Sequence, residues 1–284
     1  MPTVPPAQSP PAQPPAESHQ AREVAESFGA QASRYDRARP SYPAALVERI
    51  VAASPGRTVL DVGCGTGIVA RLFQAAGCAV LGVDPDARMA GHARERGLQV
   101  EVATFETWET NGRAFDTVVA GQAWHWVDPV AGAAKAAAAL RPGGRLAVFW
   151  NVFQPPAELG QAFAETYRQA LSDLLADLPS GLWDRPLLGI YETMGAKAAE
   201  GMRQTGAFGE PEQWYVEWER PYTRDEWLEQ VPTFGGFSRI PPDRQQEILA
   251  GIGAAIDTAG GGFTMGFTTL AVTAALAAPL AGSA

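Results

Sequence analysis

Residues 59–67 read VLDVGCGTG, and the fold turns on how they are read. Val59 to Val62 is a short apolar run that stops at glycine, which marks a buried strand. Gly63, Gly65 and Gly67 alternate with small residues. TGIVARLFQAAG then spaces its apolar residues as a helix does and ends at Gly77, a natural C-cap. The stretch is therefore strand, glycine turn, helix.

The same alternation continues outward. AVLGVD (79–84) reads as a second buried strand and PDARMAGHARERG as a helix with Pro85 near its start and Gly97 at its end. LQVEVA (98–103), AFDTVVAG (114–121) and RLAVFWN (145–151) read as further strands. DPVAGAAKAAAALRPGG reads as a helix stopped by Pro142-Gly143-Gly144. Beyond Asn151 the pattern loosens. PAELGQAFAETYRQALSDLLADL, GAKAAEGMRQTG, TRDEWLEQV and PDRQQEILAGIGAAID read as helices, EQWYVEWERPY and GFTMGFTTLAV as strands. The expected fold is α/β, a doubly wound, mostly parallel seven-stranded sheet with a helical lid. Ligands in such sheets gather at the carboxyl ends of the strands, where this glycine loop lies. The expected organisation is a Pro- and Ala-rich disordered tail over 1–20 and one domain over 21–284. Within it a cofactor-binding core spans about 43–151, and a lid with closing strands spans about 152–273.

Glycine loops of this kind usually cradle phosphate, yet Asp61 stands two residues before the first glycine. A dinucleotide fingerprint places its third glycine one residue later. A carboxylate 4 Å from a pyrophosphate is repelled by ~1 kcal/mol or more, whereas it attracts an ammonium. The loop suits a ligand that is cationic where a dinucleotide is anionic, and S-adenosylmethionine carries an α-ammonium, a sulfonium and no phosphate. Asp84, at the end of the second strand, suits ribose hydroxyls, a feature shared with NAD enzymes.

VLDVGCGTG, GVDPDARM, FDTVVAGQAWHWVD and LRPGGRLAVFWN resemble, in order and spacing, the successive motifs of the class I S-adenosylmethionine-dependent methyltransferases. The resemblance is strong over about 25–151. FGAQASRYDRARPSYP (28–43) is similar to the start of the subgroup around trans-aconitate methyltransferase. The resemblance implies that Asp61, Gly63 and Gly65 hold the methionine end and that Asp84 binds the ribose. It sets Pro85, Asp86 and Met89 beside the adenine, and Gln122 and Ala123 along the methionine side. Tyr35, Arg39 and Tyr42 would close over the cofactor, with Arg39 facing its carboxylate. Many relatives have Gly-Asp-Ala-Glu after the third strand, where this chain has Ala103-Thr104-Phe105-Glu106. Thr104 and the Phe105 N–H are left to meet the adenine.

The net charge of −9, with twenty Arg and only two Lys, argues against nucleic acid as a partner. Cys64 and Cys78 make no disulfide framework and fit small buried fillers in a reducing cytosol. The uncharged C-terminus is diluted by Thr, Gly and Pro, so no membrane partner is expected. His19 and His92, the latter on a polar helix face, have no metal-ligating companions. Asp84 also fits a helix N-cap before Pro85.

The expected activity is methyl transfer to a small molecule. An aromatic-rich lid (Trp150, Phe153, Phe163, Tyr167, Trp183, Tyr191, Phe234, Phe237) suggests an apolar or aromatic acceptor, as in natural-product metabolism. His125, in QAWHWVDP, is the first candidate for a general base, with Glu165 and Tyr35 behind it. The alternatives are an NAD-linked oxidoreductase and a cofactor-binding protein without turnover.

Overall fold

The computed structural model describes residues 29, 31–173 and 187–277. Helices α1 (Ala32–Ala38) and α2 (Ala44–Ala52) lead into strand β1 (Thr58–Val62). There follow α3 (Ile68–Ala75), β2 (Ala79–Asp84), α4 (Ala87–Glu95), β3 (Gln99–Val102), β4 (Phe115–Gly121), α5 (Pro129–Ala139) and β5 (Leu140–Gln154). The C-terminal part comprises α6 (Ala157–Ala170), α7 (Leu187–Thr205), β6 (Glu212–Thr223), α8 (Arg224–Gln230), α9 (Pro242–Thr258) and β7 (Gly262–Ala275).

The strands form one seven-stranded sheet in the order β3-β2-β1-β4-β5-β7-β6. The first five are parallel to their neighbours, while β7 runs antiparallel to both β5 and β6. The sheet order reverses at β1, between β2 and β4, so the loop after β1 opens at the switch point where ligands bind. Both faces of the central strands are covered, so they read as continuous apolar runs. Leu60, Val118, Leu146 and Trp150 pack on one face under α5 and α7; Val59, Val119, Ala147 and Phe149 pack on the other with Leu46, Ile50 and Phe73.

Several boundaries differ from the sequence reading. The helix before Pro142 ends at Ala139, and Pro142-Gly143-Gly144 forms a bulge within β5, where the register with β4 shifts. α7 begins eight residues earlier than its Ala/Gly-rich half suggested. The helix read across 156–178 is described only as Ala157–Ala170; the tail over 1–20, His19 and Trp183 lie outside the described residues. Neither α1 nor α2 was legible as a helix. α5 starts as read, with Asp128 accepting the Val130 and Ala131 N–H groups and Pro129 in its first turn. α8 carries a capping box between Thr223 and Glu226.

The aromatic lid is mostly its own core. Phe163 stacks on Trp227 with centroids 6.0 Å apart, and Phe153 stacks on Phe234 at 5.5 Å. Phe237, Ile248, Ile252 and Ile256 complete this cluster. Trp150 is fully buried in the sheet. These rings hold α6, α8 and α9 against β6 and β7 and do not form the wall of a ligand cleft.

Candidate active site

A cleft of about 170 Å³, partly open to solvent, lies over the carboxyl ends of β1, β2 and β4. Its wall includes Tyr35, Gly63, Gly65, Asp84, Pro85, Asp86, Met89, Thr104, Phe105, Gln122 and Ala123. A smaller recess shares Tyr35, Gly63, Gly65 and Gln122 with it and adds Arg39 and Tyr42. Every residue expected to hold a cofactor therefore borders this space except Asp61, which is buried on β1 two residues before Gly63.

The glycine loop is braced from β2. The Gly63 N–H donates to the Val83 carbonyl and the Gly65 N–H to Asp84 Oδ2, both at 2.8 Å. Asp84 Oδ1 accepts the Asp86 N–H at 2.9 Å. Gly63 has φ of 65°, and a Cβ there would lie 2.5 Å from the Cβ of Ala123, so only glycine fits. Asp84 is not the helix cap. Asp86 caps α4, accepting from the Arg88 N–H at 2.8 Å and pairing with its guanidinium.

Burial raises the Asp84 pKa to about 6, opposed by the N–H groups of Asp86 and Gly65. Each Asp84 oxygen retains acceptor capacity for a ligand hydroxyl. Only the carboxylate offers both oxygens as acceptors. Affinity for a ribose-bearing ligand is expected to be full above pH 6 and to fall as Asp84 takes up a proton below it. Calorimetry at pH 5 and pH 7.5 checks this, and equal affinities would contradict it. Asp84→Ala is expected to weaken binding by about 1.5–3 kcal/mol; wild-type affinity in a folded variant would remove Asp84 from the site.

Around the recess, four buried polar atoms lack a close hydrogen-bond partner: both Asp61 oxygens, Arg39 Nε and Gln122 Oε1. Burial, followed by the nearby Asp84 charge, pushes the Asp61 pKa well above its ordinary value. Buried polar groups are normally satisfied, so this cluster marks what a ligand must bring. Carboxylate and amide oxygens call for an ammonium, and a guanidinium N–H calls for a carboxylate. The set fits the zwitterionic end of an amino acid, as S-adenosylmethionine has.

Arg39 lies between aromatic faces, 5.0 Å from the Tyr35 centroid and 5.2 Å from that of Phe234. Burial raises the Tyr42 pKa well above its ordinary value, and its ring packs edge-on against Phe149 at 4.9 Å. Gln122 holds a left-handed φ of 54°, a strained conformation that glutamine adopts at a cost of about 1–3 kcal/mol. Its Nε2 donates to the Asn151 carbonyl at 3.2 Å. Met89 is both core and wall. On the opposite side, the Thr104 hydroxyl bonds that of Thr107 at 2.8 Å, and Phe105 packs beside Trp108 and Trp124.

Residues 35–170 match a family model described as a methyltransferase domain. Together with the sheet order and the glycine-loop cleft, this match over just under half of the chain supports a class I S-adenosylmethionine-dependent methyltransferase. The chain is 40% identical over 128 residues to an uncharacterised methyltransferase of Mycobacterium tuberculosis, covering 44% of this chain and 52% of that one. The chain thus spans about half the length of the curated relatives it matches. Among solved structures, a protein assigned as a type II methyltransferase from Anaeromyxobacter dehalogenans aligns with a TM-score of 0.60 and 24% identity, over 84% of this chain and 99% of that one. A methyltransferase from Anabaena variabilis aligns with a TM-score of 0.55 and 14% identity, over 84% and 98% of the two chains. These last two likenesses concern the fold.

The expected catalytic residues divide. Tyr35 borders both parts of the cleft. Glu165 does not reach it: it is exposed on α6, bonded to Arg168 and Gln169 of its own helix. His125 stands in the 3-10 turn Trp124–Trp126 but not on the cleft wall. Its Nδ1 accepts the Trp150 indole N–H at 3.2 Å, and burial lowers its pKa to about 4. With Nδ1 an acceptor, the neutral ring carries its proton on Nε2, and neither nitrogen is poised as a base.

Three site residues escaped the sequence reading. Asn151 borders the recess and ties it together: Nδ2 donates to the Ser41 carbonyl at 2.9 Å, and Oδ1 accepts from Thr269 at 2.7 Å. Its signal was a polar residue closing the apolar run RLAVFW. Glu106 and Trp126 also form wall. Both stood in quoted motifs with nothing to give their direction. His92 is not on a polar face; it is buried beside Asp36. Among the described residues no cluster of three metal-ligating side chains occurs, and no helix is long and apolar enough to cross a membrane.

Proposed function

We propose that this chain transfers a methyl group from S-adenosylmethionine to a small, apolar or aromatic molecule. The observation that carries the reading is the Asp61 carboxylate, buried without a cationic partner behind a glycine loop whose recess is bordered by Arg39 and Gln122, each with a buried atom that makes no hydrogen bond. A dinucleotide would set its pyrophosphate on this loop, beside two buried carboxylates, where charge repulsion opposes it. S-adenosylmethionine, when bound, supplies a methyl group already activated by its sulfonium.

The chain's own residues bind and orient. Asp61, Gln122 and Arg39 hold the amino-acid end, Asp84 the ribose hydroxyls, and Pro85, Asp86, Met89, Thr104 and Phe105 the base. Tyr35 covers the cleft, and the face of its ring suits a nearby sulfonium. Rate then arises mainly from alignment in a desolvated cleft rather than from a strong base. Tyr35 is the base candidate retained, because it alone of the three borders the cleft.

A profile of kcat against pH is expected to show no inflection from His125 between pH 6 and 9. His125→Ala is expected to lower kcat by less than about tenfold, against the 10²–10⁴-fold typical of a lost general base. A loss in that larger range, with cofactor affinity unchanged, would restore His125 as the base.

The apolar or aromatic acceptor and a role in natural-product metabolism belong to this proposal. Support for the acceptor's character comes from Tyr35, Phe105 and Trp126 on the wall. The test is release of S-adenosylhomocysteine over a panel of small aromatic and aliphatic acceptors. Turnover with an aromatic or apolar member supports the proposal. Cofactor binding without turnover on any member would favour the binding-protein alternative.

A further inference from the structure

We propose that Asp36 is a positioning residue that fixes helix α1, and with it Tyr35 and Arg39, over the amino-acid end of the cleft. The inference rests on the function proposed above for the identity of the ligand.

α1 has seven residues, no side-chain N-cap and a single buried residue, Ala38. A helix this short does not hold itself, and its apolar anchorage is slight. Its placement depends on polar ties, and Asp36 makes partly buried ones, its own side chain being 8% exposed against 35% for Arg71 and 39% for Arg96. Asp36 Oδ1 accepts from Arg71 Nη2 of α3 at 2.7 Å. Asp36 Oδ2 lies 3.1 Å from Arg96 Nε at the end of α4 and 3.7 Å from His92 Nε2 within it. One acid of α1 thus meets three basic side chains from the cofactor-binding core.

The Arg71 guanidinium also donates through Nη1 to the Thr66 carbonyl, at 2.8 Å, inside the glycine loop. The chain Asp36–Arg71–Thr66 joins α1 to the loop behind which Asp61 lies. Burial pushes the Asp36 carboxyl up, but hydrogen bonds from Arg71 and Thr66 and the charges of Arg71 and Arg96 prevail and hold it below its ordinary range. Arg39, at the C-terminal end of α1, also donates through Nη2 to the Thr233 carbonyl, and the surface tie is looser. Arg37 pairs with Glu229 on the surface, with 60% and 38% of the two side chains exposed, and such pairs are worth little. Removing the buried Asp36 charge leaves the partly buried Arg71 and Arg96 uncompensated, which is more disruptive.

The experiment uses the full chain and Asp36→Asn, which keeps the shape and removes the charge. Hydrogen exchange of amides 32–39 is followed without ligand. Calorimetry compares S-adenosylhomocysteine with 5′-methylthioadenosine, which lacks the amino-acid end. Protection of 32–39 is expected to fall. S-adenosylhomocysteine is expected to bind about 10–100-fold more weakly, and methylthioadenosine within about threefold of wild type. Asp36→Glu is expected to recover part of the loss. Arg71→Gln is the second variant should Asp36→Asn not fold, with the same pattern expected. Unchanged protection and affinity would overturn the proposal, as would equal losses for both ligands, the mark of general destabilisation. If the wild-type chain binds neither ligand, the proposed function falls, and the hydrogen-exchange result alone still decides for or against Asp36.

Discussion

Asp61→Asn is expected to weaken S-adenosylmethionine binding by about 2–4 kcal/mol while raising the melting temperature of the ligand-free protein. The two effects share one cause. Asp61 is 1% exposed, and neither of its oxygens has a cationic partner. Without a cation, its ionised form is costly, so its folded pKa lies well above the unfolded value. For an acid shifted in that direction, the native state binds the extra proton, and stability falls as pH rises from the unfolded pKa toward the folded one. Asparagine removes the charge and the penalty. The gap in melting temperature between variant and wild type should therefore widen with pH, each kcal/mol being worth about 2–4 °C in a chain of this size. Thermal melts from pH 4 to pH 8, with and without ligand, check both halves. A variant less stable than wild type at every pH would show that Asp61 supports the fold itself.

Gly63→Ala is expected to abolish the site by a different route. At φ of 65° an L side chain costs about 1–2 kcal/mol, and the added Cβ would sit 2.5 Å from that of Ala123. Ala123 follows the strained Gln122, so it cannot yield without moving the end of β4. A destabilisation of about 2–4 kcal/mol is expected, together with loss of measurable cofactor binding. Gly97→Ala is the control. Its φ of 83° carries the backbone strain, but no atom lies within 4 Å of the added methyl. It should lower stability and leave affinity unchanged. Equal affinity in both variants would mean that the Gly63–Ala123 approach does not shape the cleft.

The sheet was legible because its central strands are buried on both faces and punctuated by glycine. Val59–Val62 and Ala79–Asp84 admit no other reading once a helix follows each. The cleft-lining residues after β1, β2 and β4 were legible because they sit at strand ends, where sequence order becomes spatial order. α1 was not legible, since seven residues with one buried alanine have no amphipathic pattern to detect; its place comes from Asp36, whose partners lie 35 to 60 positions away in sequence. The aromatic lid misled for a related reason. Residue type reports that Phe153, Phe163 and Phe237 seek burial, but not whether a ligand or another ring buries them, and Trp227 and Phe234 do. His125 showed the limit most sharply. Its motif put it near the chemistry, but its partner, Trp150, is on a strand 25 residues later.

The central claim is that the loop at 63–67 holds an amino-acid cation and not a phosphate. Its most direct test is calorimetry of S-adenosylmethionine and NAD against the wild-type chain and Asp61→Asn at pH 7.5. Saturable 1:1 binding of S-adenosylmethionine, lost or strongly weakened in the variant, with no binding of NAD, is the predicted result. Binding of NAD by the wild-type chain, or S-adenosylmethionine affinity unchanged in Asp61→Asn, would contradict it.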